Sequence, residues 1–396
     1  MDKEVLIVGA GKIGRGFIAH LFYRSGYKIW LVDASAKTVQ LLNKFKQYRV
    51  DLAGKETDTT EYIEIAGAFT LDDPSKVAEV LRRVKIIATS VGAGNIEQLA
   101  LFFRDLLMLT DRNDPLNWLI CENANEPAKT IRKVLLQGAT GRFHDYINTR
   151  LGLVETQVLR TGMPAKADIA VNEPLALRMQ EWWSLPLDKD AFIGEIPLVE
   201  GFSPRAGFAN ELKRKLYTFN GTNGPIAYIG WANGFVILHE AALAYPEFFK
   251  LIQEESAFGL VHEFGLDEDE QRAFMAVAIA KYTDPALADK IERNAVDTKR
   301  KLARDERLVG PAVLCLKYGR PPKAYAKAIA AAYFYNGSKD VGTMEVQATI
   351  RSSGIETAIR LYSGIDESSP LYHLVVESYL TKSFIMAAEQ TPVNLQ

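Results

Sequence analysis

The chain has 396 residues, 48% of them hydrophobic and 24% charged, with a net charge of −2. That length supports about two or three domains, and the near-neutral charge gives nucleic acid or an anionic membrane no general hold. No apolar run reaches the roughly 20 residues that span a bilayer, the first residues lead into a strand rather than a signal peptide, and Cys121 and Cys315 sit in apolar runs as buried thiols, so the cytoplasm is the expected compartment.

The first predicted element is a strand over Val5–Val8, followed by the loop Gly9, Ala10, Gly11, Lys12, Ile13 and Gly14, a helix over Phe17–Arg24, and a second strand, Lys28–Val32, ending at Asp33. In this context the Gly-x-Gly-x-x-Gly spacing has a mechanism. Gly9 makes the tight turn, Gly11 admits a pyrophosphate to the backbone, and Gly14 lets the helix lie on the strand with its N-terminus aimed at the phosphates. Asp33 stands where a carboxylate accepts from both hydroxyls of an adenosine ribose, and no arginine follows it to hold a 2′-phosphate. NAD is expected rather than NADP.

Further along, a helix over Ala34–Phe45 leads to a β-excursion (Tyr48–Leu52 and Tyr62–Ala66 around GKETDTTE). Strands are predicted over Val84–Thr89, Trp118–Cys121 and Leu153–Val158, with a helix over Ile96–Leu107. The β-α alternation predicts a parallel, doubly wound sheet with its ligand crevice at the carboxyl ends of the strands. Two loops fall there: Ser90, Val91, Gly92, Ala93, Gly94; and Glu122, Asn123, Ala124, Asn125. Val91 and Gly92 are candidate cofactor contacts, although ordinary loop and capping chemistry suits the same residues.

After Pro197 the texture becomes helical, with periodic segments at Tyr245–Val261, Glu268–Lys281, Val309–Leu316 and Lys323–Tyr335. The expected organisation is a Rossmann-like α/β domain over 1–197 and an all-helical domain over 198–396, with substrate between them and the tail TPVNLQ frayed. Near the start of the second domain, Lys215, Leu216, Phe219, Asn220 and Asn223 fall on one helical face and its edges. A surface helix accounts for that pattern. So does catalysis: a desolvated lysine can take an alcohol proton as hydride leaves, and the amides of Asn220 and Asn123 can steady the oxygen. Arg293, Lys299, Arg300, Lys301, Arg304 and Arg307, interleaved with acids, read as a solvated helix surface. Glu254-Glu255 also read as surface. No cysteine or histidine cluster has metal-ligand spacing.

GAGKIGRGF at 9–17, TSVG at 89–92, CEN at 121–123 and Lys-x4-Asn at 215–220 together resemble the polyol-specific long-chain dehydrogenases, nearest their mannitol-1-phosphate branch. The resemblance covers about residues 1–365. It implies metal-independent hydride transfer between NAD(H) and a secondary alcohol or ketone of an open-chain sugar, of the mannitol 1-phosphate/fructose 6-phosphate type. Lys215 is then the acid/base, and Asn220 and Asn123 polarise the substrate oxygen. Arg307, Arg160 and Lys323 become candidates for an anionic group on the substrate. The chain departs from the family twice: Asn223 stands where the motif has histidine, and Leu159-Arg160 stands where Asp-Arg is usual. Asn223 can orient a hydroxyl but cannot titrate. An acidic ketose of the keto-uronate type and a non-catalytic NAD-binding homologue are the alternative readings. Monomer and dimer are left open.

Overall fold

Strand β1 (Glu4–Val8) carries buried residues on both faces, and a parallel sheet grows from it in both directions. Its order is β5 (Gly67–Thr70), β2 (Lys28–Asp33), β1, β6 (Ile86–Thr89), β7 (Leu116–Ile120), β8 (Leu151–Glu155). Val5 and Ile7 feed one hydrophobic cluster, Leu6 and Val8 another, as the pleat dictates for a sheet covered on both sides. The winding reverses beside β1, so the loops after β1, β2, β6 and β7 share the carboxyl edge where such sheets bind ligands.

The computed structural model describes residues 3–53, 58–124, 126–163, 165–285 and 288–386; the tail TPVNLQ and Asn125 lie outside them, as does part of the polar stretch at 54–61. The chain divides into two units, the first closing at Phe208 and the second opening at Ala209. The expected excursion forms, and its two strands pair antiparallel. Strand β3 (Gln47–Ala53) pairs with β4 (Thr59–Glu64), and the two join β9 (Gly162–Met163) and β10 (Leu177–Gln180) in a second sheet. The first unit runs past the expected boundary at 197, because β12 (Phe202–Arg205) returns to pair in parallel with β11 (Leu185–Asp188).

The second unit is helical, with one isolated bridge, Ile237 to Lys290, among its described residues. Helix Gly221–Ala232 is buried continuously from Gly221 to Gly230, the signature of a helix enclosed on all sides. Helices Pro246–Phe264 and Lys323–Phe334 belong to the same core. Pro225 sits inside the enclosed helix and cannot donate to the carbonyl four residues back. The buried Tyr325 hydroxyl donates to that carbonyl, Gly221 O, at 2.8 Å instead.

Candidate active site

The glycine loop of the first unit is built as the spacing demands. Gly9 has φ +95°, its N–H donates to Val32 O, and a Cβ there would meet Ser90 O at 2.2 Å. A Cβ on Gly14 would meet Gly9 O at 1.8 Å. Gly11 is different: nothing lies within 4 Å of where its Cβ would point. The protein's own packing does not require glycine at 11, whereas a phosphate drawn close to the backbone does, so the cradle fits a dinucleotide. Lys12 and Ile13 form the helix entry, with Lys12 exposed. Asp33 Oδ2 accepts from Ala10 N at 2.7 Å and Oδ1 from Ser35 N at 2.8 Å, which fixes the carboxylate at the end of β2 with lone pairs to spare for hydroxyl donors.

Arg15 braces this loop from behind. It is buried, its Nε donates to Ala10 O at 2.6 Å and its Nη1 to Leu175 O at 2.6 Å, and its guanidinium lies over the Tyr48 ring. The sequence signal was the Arg immediately after the third glycine.

The N–H groups of Val91 and Gly92 are taken by a side chain of the protein. Glu122, just after β7, accepts from Val91 N at 2.7 Å and Gly92 N at 2.9 Å, and burial raises its pKa. The carboxylate thereby ties the loop after β6 to the loop after β7. Asn123 follows it, exposed.

In the second unit Lys215 ends helix Phe208–Lys215, and a π turn, Leu216–Asn220, precedes helix Gly221–Ala232. Gly221 N donates to Leu216 O, closing the five-residue bond. In a regular α-helix Lys215 and Asn220 would stand about 140° apart around the axis. The π turn, with its five-residue bond, narrows that angle, so the two motif residues stand closer around the axis than in a regular helix. Side chains support the bulge: Ser256 Oγ donates to Tyr217 O, Thr222 Oγ1 to Thr218 O, and Gln271 Nε2 to Thr218 Oγ1.

The Lys215 amine is pushed down to about 8, first by burial and then by the positive charges of Lys281 and Arg307. Lys281 is itself lowered to about 8, mainly by burial. Lys301, only 4% exposed, is lowered to about 7 by burial and then by Arg307 and Arg300. Lys301 is therefore a core ammonium and not part of a solvated helix face. Its Nζ donates to the carbonyls of Asn294 (2.7 Å) and Val296 (2.5 Å). Asn223 is buried and its Nδ2 donates to Asn294 Oδ1 at 3.2 Å. Lys281 and Asn294 were not singled out by pattern, and Lys301 was read as surface, because their importance lies in what remote chain segments place around them.

Two further candidates for the anionic group have these surroundings. Arg160 is 2% exposed inside the first unit, donating to Gln180 O (2.8 Å) and Gly16 O (3.0 Å) and contacting His20 Nδ1 (3.3 Å), with its guanidinium over Phe17 and Trp183. That is the environment of a structural brace, and it also holds His20 down to about 4, through burial first and then the Arg160 charge. Lys323 is exposed at the start of helix Lys323–Phe334 and is not among the charges acting on Lys215. The N–H groups of that helix at Ala324 and Tyr325 are capped by Glu255 at 2.9 Å each, so Glu255 is a buried cap rather than a surface acid. Among the described residues no group of three His, Cys, Asp or Glu side chains could hold a metal ion.

Residues 3–200 match the family model described as the mannitol dehydrogenase Rossmann domain, and residues 211–384 match the mannitol dehydrogenase C-terminal domain. The chain belongs to the mannitol dehydrogenase family. Mannitol-1-phosphate 5-dehydrogenase of Thermoanaerobacter pseudethanolicus is 30% identical to this family member over 94% of its chain and 96% of the relative. The enzyme of the same name from Buchnera aphidicola is 26% identical over 96% and 100%. Among solved structures, Pseudomonas fluorescens mannitol 2-dehydrogenase in ternary complex with NAD and D-mannitol superposes with a TM-score of 0.73 at 14% identity, covering 96% of this chain and 92% of that one. A substrate-free D-sorbitol dehydrogenase gives 0.80 at 13% identity, covering 96% and 93%. At such identities the two structures establish the mannitol dehydrogenase fold of this chain.

Proposed function

We propose that this family member is an NAD-dependent dehydrogenase of an open-chain sugar alcohol, and that its substrate pair is of the mannitol 1-phosphate/fructose 6-phosphate type. The observation that carries the reading is the Lys215 amine, brought to about 8 beside Lys281 and Arg307 and followed across a π turn by Asn220. A base for an alcohol works best when its pKa lies near the working pH. The cofactor, held by Gly9, Ala10, Gly11 and Asp33 with Val91 and Gly92 nearby, supplies the hydride acceptor. Lys215 takes the proton from the hydroxyl in oxidation and returns it in ketone reduction. Asn220 and Asn123 donate to the same oxygen as charge develops on it. Asn223 accepts from a neighbouring hydroxyl.

The phosphorylated substrate is supported by charge and by kinship. Lys281 and Arg307 both act on Lys215, and Arg307 also acts on Lys301, and an anion entering that field is stabilised. Arg307 is 12% exposed and bonded to Glu306 at 3.1 Å, and we assign it and Lys281 to the phosphate. The curated relatives above carry the mannitol-1-phosphate name. The free buried thiols Cys121 and Cys315 suit a reducing compartment, and we place the protein in the cytoplasm. No helix among the described residues is long and apolar enough to cross a membrane.

The test is NADH consumption with fructose 6-phosphate, fructose and keto-uronates. Preference for the phosphorylated ketose, abolished in Lys215→Ala with NADH binding intact, is the expected result. Preference for a keto-uronate overturns the substrate assignment. NADH binding without turnover of any ketose overturns the catalytic reading.

A further inference from the structure

Residues 294–296 end the short helix Ile291–Ala295, and their three carbonyls are all captured by buried side chains. Lys301 Nζ takes Asn294 O and Val296 O, and the Tyr228 hydroxyl takes Ala295 O at 3.0 Å. Lys301 and Tyr228 are both buried, so this anchorage is made inside the core. Burying an ammonium is costly unless it is well bonded. Here that bonding fixes the backbone of one residue in particular. Asn294 uses its own Nδ2 on Lys290 O at 2.9 Å, which leaves its Oδ1 as the acceptor for Asn223 Nδ2.

The consequence falls on Asn223. An amide side chain has two ends, and which end faces a ligand is decided by the partner on the other side. With its Nδ2 engaged by Asn294, Asn223 has Oδ1 left, and no described residue donates to that oxygen. Asn223 lies three residues after Asn220, on the same side of the helix. We infer that Asn294 is a positioning residue that fixes Asn223 as a hydrogen-bond acceptor for a substrate hydroxyl, so that the Asn223–Asn294 pair sets which epimer is taken. The inference rests on the polyol reading above. A pair of amides has no titration near neutrality, so hydroxyl selection here is independent of pH, unlike proton transfer at Lys215.

The experiment uses the full-length protein with NADH, fructose 6-phosphate and its epimer at the carbon next to the carbonyl. In Asn294→Leu the KM for the preferred epimer rises about tenfold, the expected worth of one hydrogen bond made by substrate. Its kcat stays within about threefold and NADH affinity is unchanged, so the kcat/KM ratio between epimers falls by about the same tenfold factor. Asn294→Asp keeps an acceptor for Asn223 and retains the wild-type discrimination within about threefold. The KM profile of wild type and both variants keeps one shape between pH 6.5 and 9. If Asn294→Leu lowers only the melting temperature, or lowers kcat with the epimer ratio intact, Asn294 is structural and the inference is overturned while the polyol reading stands. A wild type that turns over no ketose overturns both.

Discussion

The hydroxyl of Tyr325 donates to the carbonyl of Gly221 at 2.8 Å because Pro225 leaves that carbonyl without its helical partner. The bond lies at the first residue after the π turn that runs from Lys215 to Asn220. Removing it leaves a buried carbonyl unpaired, which costs about 1–3 kcal/mol. Tyr325→Phe is therefore expected to lose that much stability in urea unfolding. Because the loosened turn also carries the acid/base, kcat falls as well, with NADH affinity unchanged. A stable variant with wild-type kcat would show that the turn is held by Ser256 and Gln271 alone.

Lys215 predicts the pH dependence. Its amine acts as a base when neutral, so alcohol oxidation rises with pH and levels off above about 8, whereas ketone reduction declines above that value. Lys281 depresses Lys215 by like charge, second only to burial. In Lys281→Met the midpoint of the oxidation profile moves up, toward the ordinary lysine value. Lys215→Ala lowers kcat by about 10²–10⁴, with the pH dependence of the residual rate lost. Steady-state rates in both directions from pH 6 to 10 check all three outcomes.

The three loop glycines separate folding from binding. Gly9 and Gly14 face backbone carbonyls where a Cβ would overlap, and Gly9 also needs positive φ. Gly9→Ala and Gly14→Ala are expected to fold poorly or lose several kcal/mol. Gly11→Ala meets nothing and keeps the wild-type melting temperature, while NADH affinity falls at least about tenfold as the methyl group blocks the phosphate. Calorimetric titration with NADH beside thermal melting distinguishes the two classes; a Gly11→Ala protein that binds NADH normally would remove the pyrophosphate from this loop.

That contrast shows why the glycine loop was legible in the sequence. Its constraints are local: a tight turn, a close helix, and an acid at the end of the next strand all lie within residues 9–33. Lys215 and Asn220 stand out through their motif as candidates, but not the π turn between them, since nothing in Leu216–Asn220 itself announces a widened helix. The supports come from Ser256 and Gln271, distant in sequence. Glu255 and Lys301 were misread as surface because a charge looks the same in sequence whether water or a buried set of backbone groups receives it. The short strands β5, β9, β11 and β12 carry too few residues for alternation to register. Arg160 was assigned to substrate by resemblance, and its carbonyl partners at Gly16 and Gln180 could not be read from spacing, because they come from segments distant in sequence.

The buried lysines also tie stability to pH. Lys215, Lys281 and Lys301 stand at about 8, 8 and 7 in the folded protein, against about 10.4 when unfolded. Between about pH 7 and 10 the unfolded chain therefore binds more protons than the folded one, and stability rises with pH. Below that window the lysines are charged in both states and the burial cost is present in full. Near pH 10 the rise ends, because burial raises the hydroxyls of Tyr217, Tyr228 and Tyr333 well above the ordinary tyrosine value in the fold, so they ionise first in the unfolded chain. The melting temperature is thus expected to climb from pH 7 to about 9.5 and then fall. Lys301→Met removes the earliest part of the climb, between pH 7 and 8, while it frees the carbonyls of Asn294 and Val296. Calorimetry of wild type and variant across pH 6.5–10.5 provides the check; a flat or falling curve from pH 7 to 9 would mean that the three amines are solvated in the folded protein.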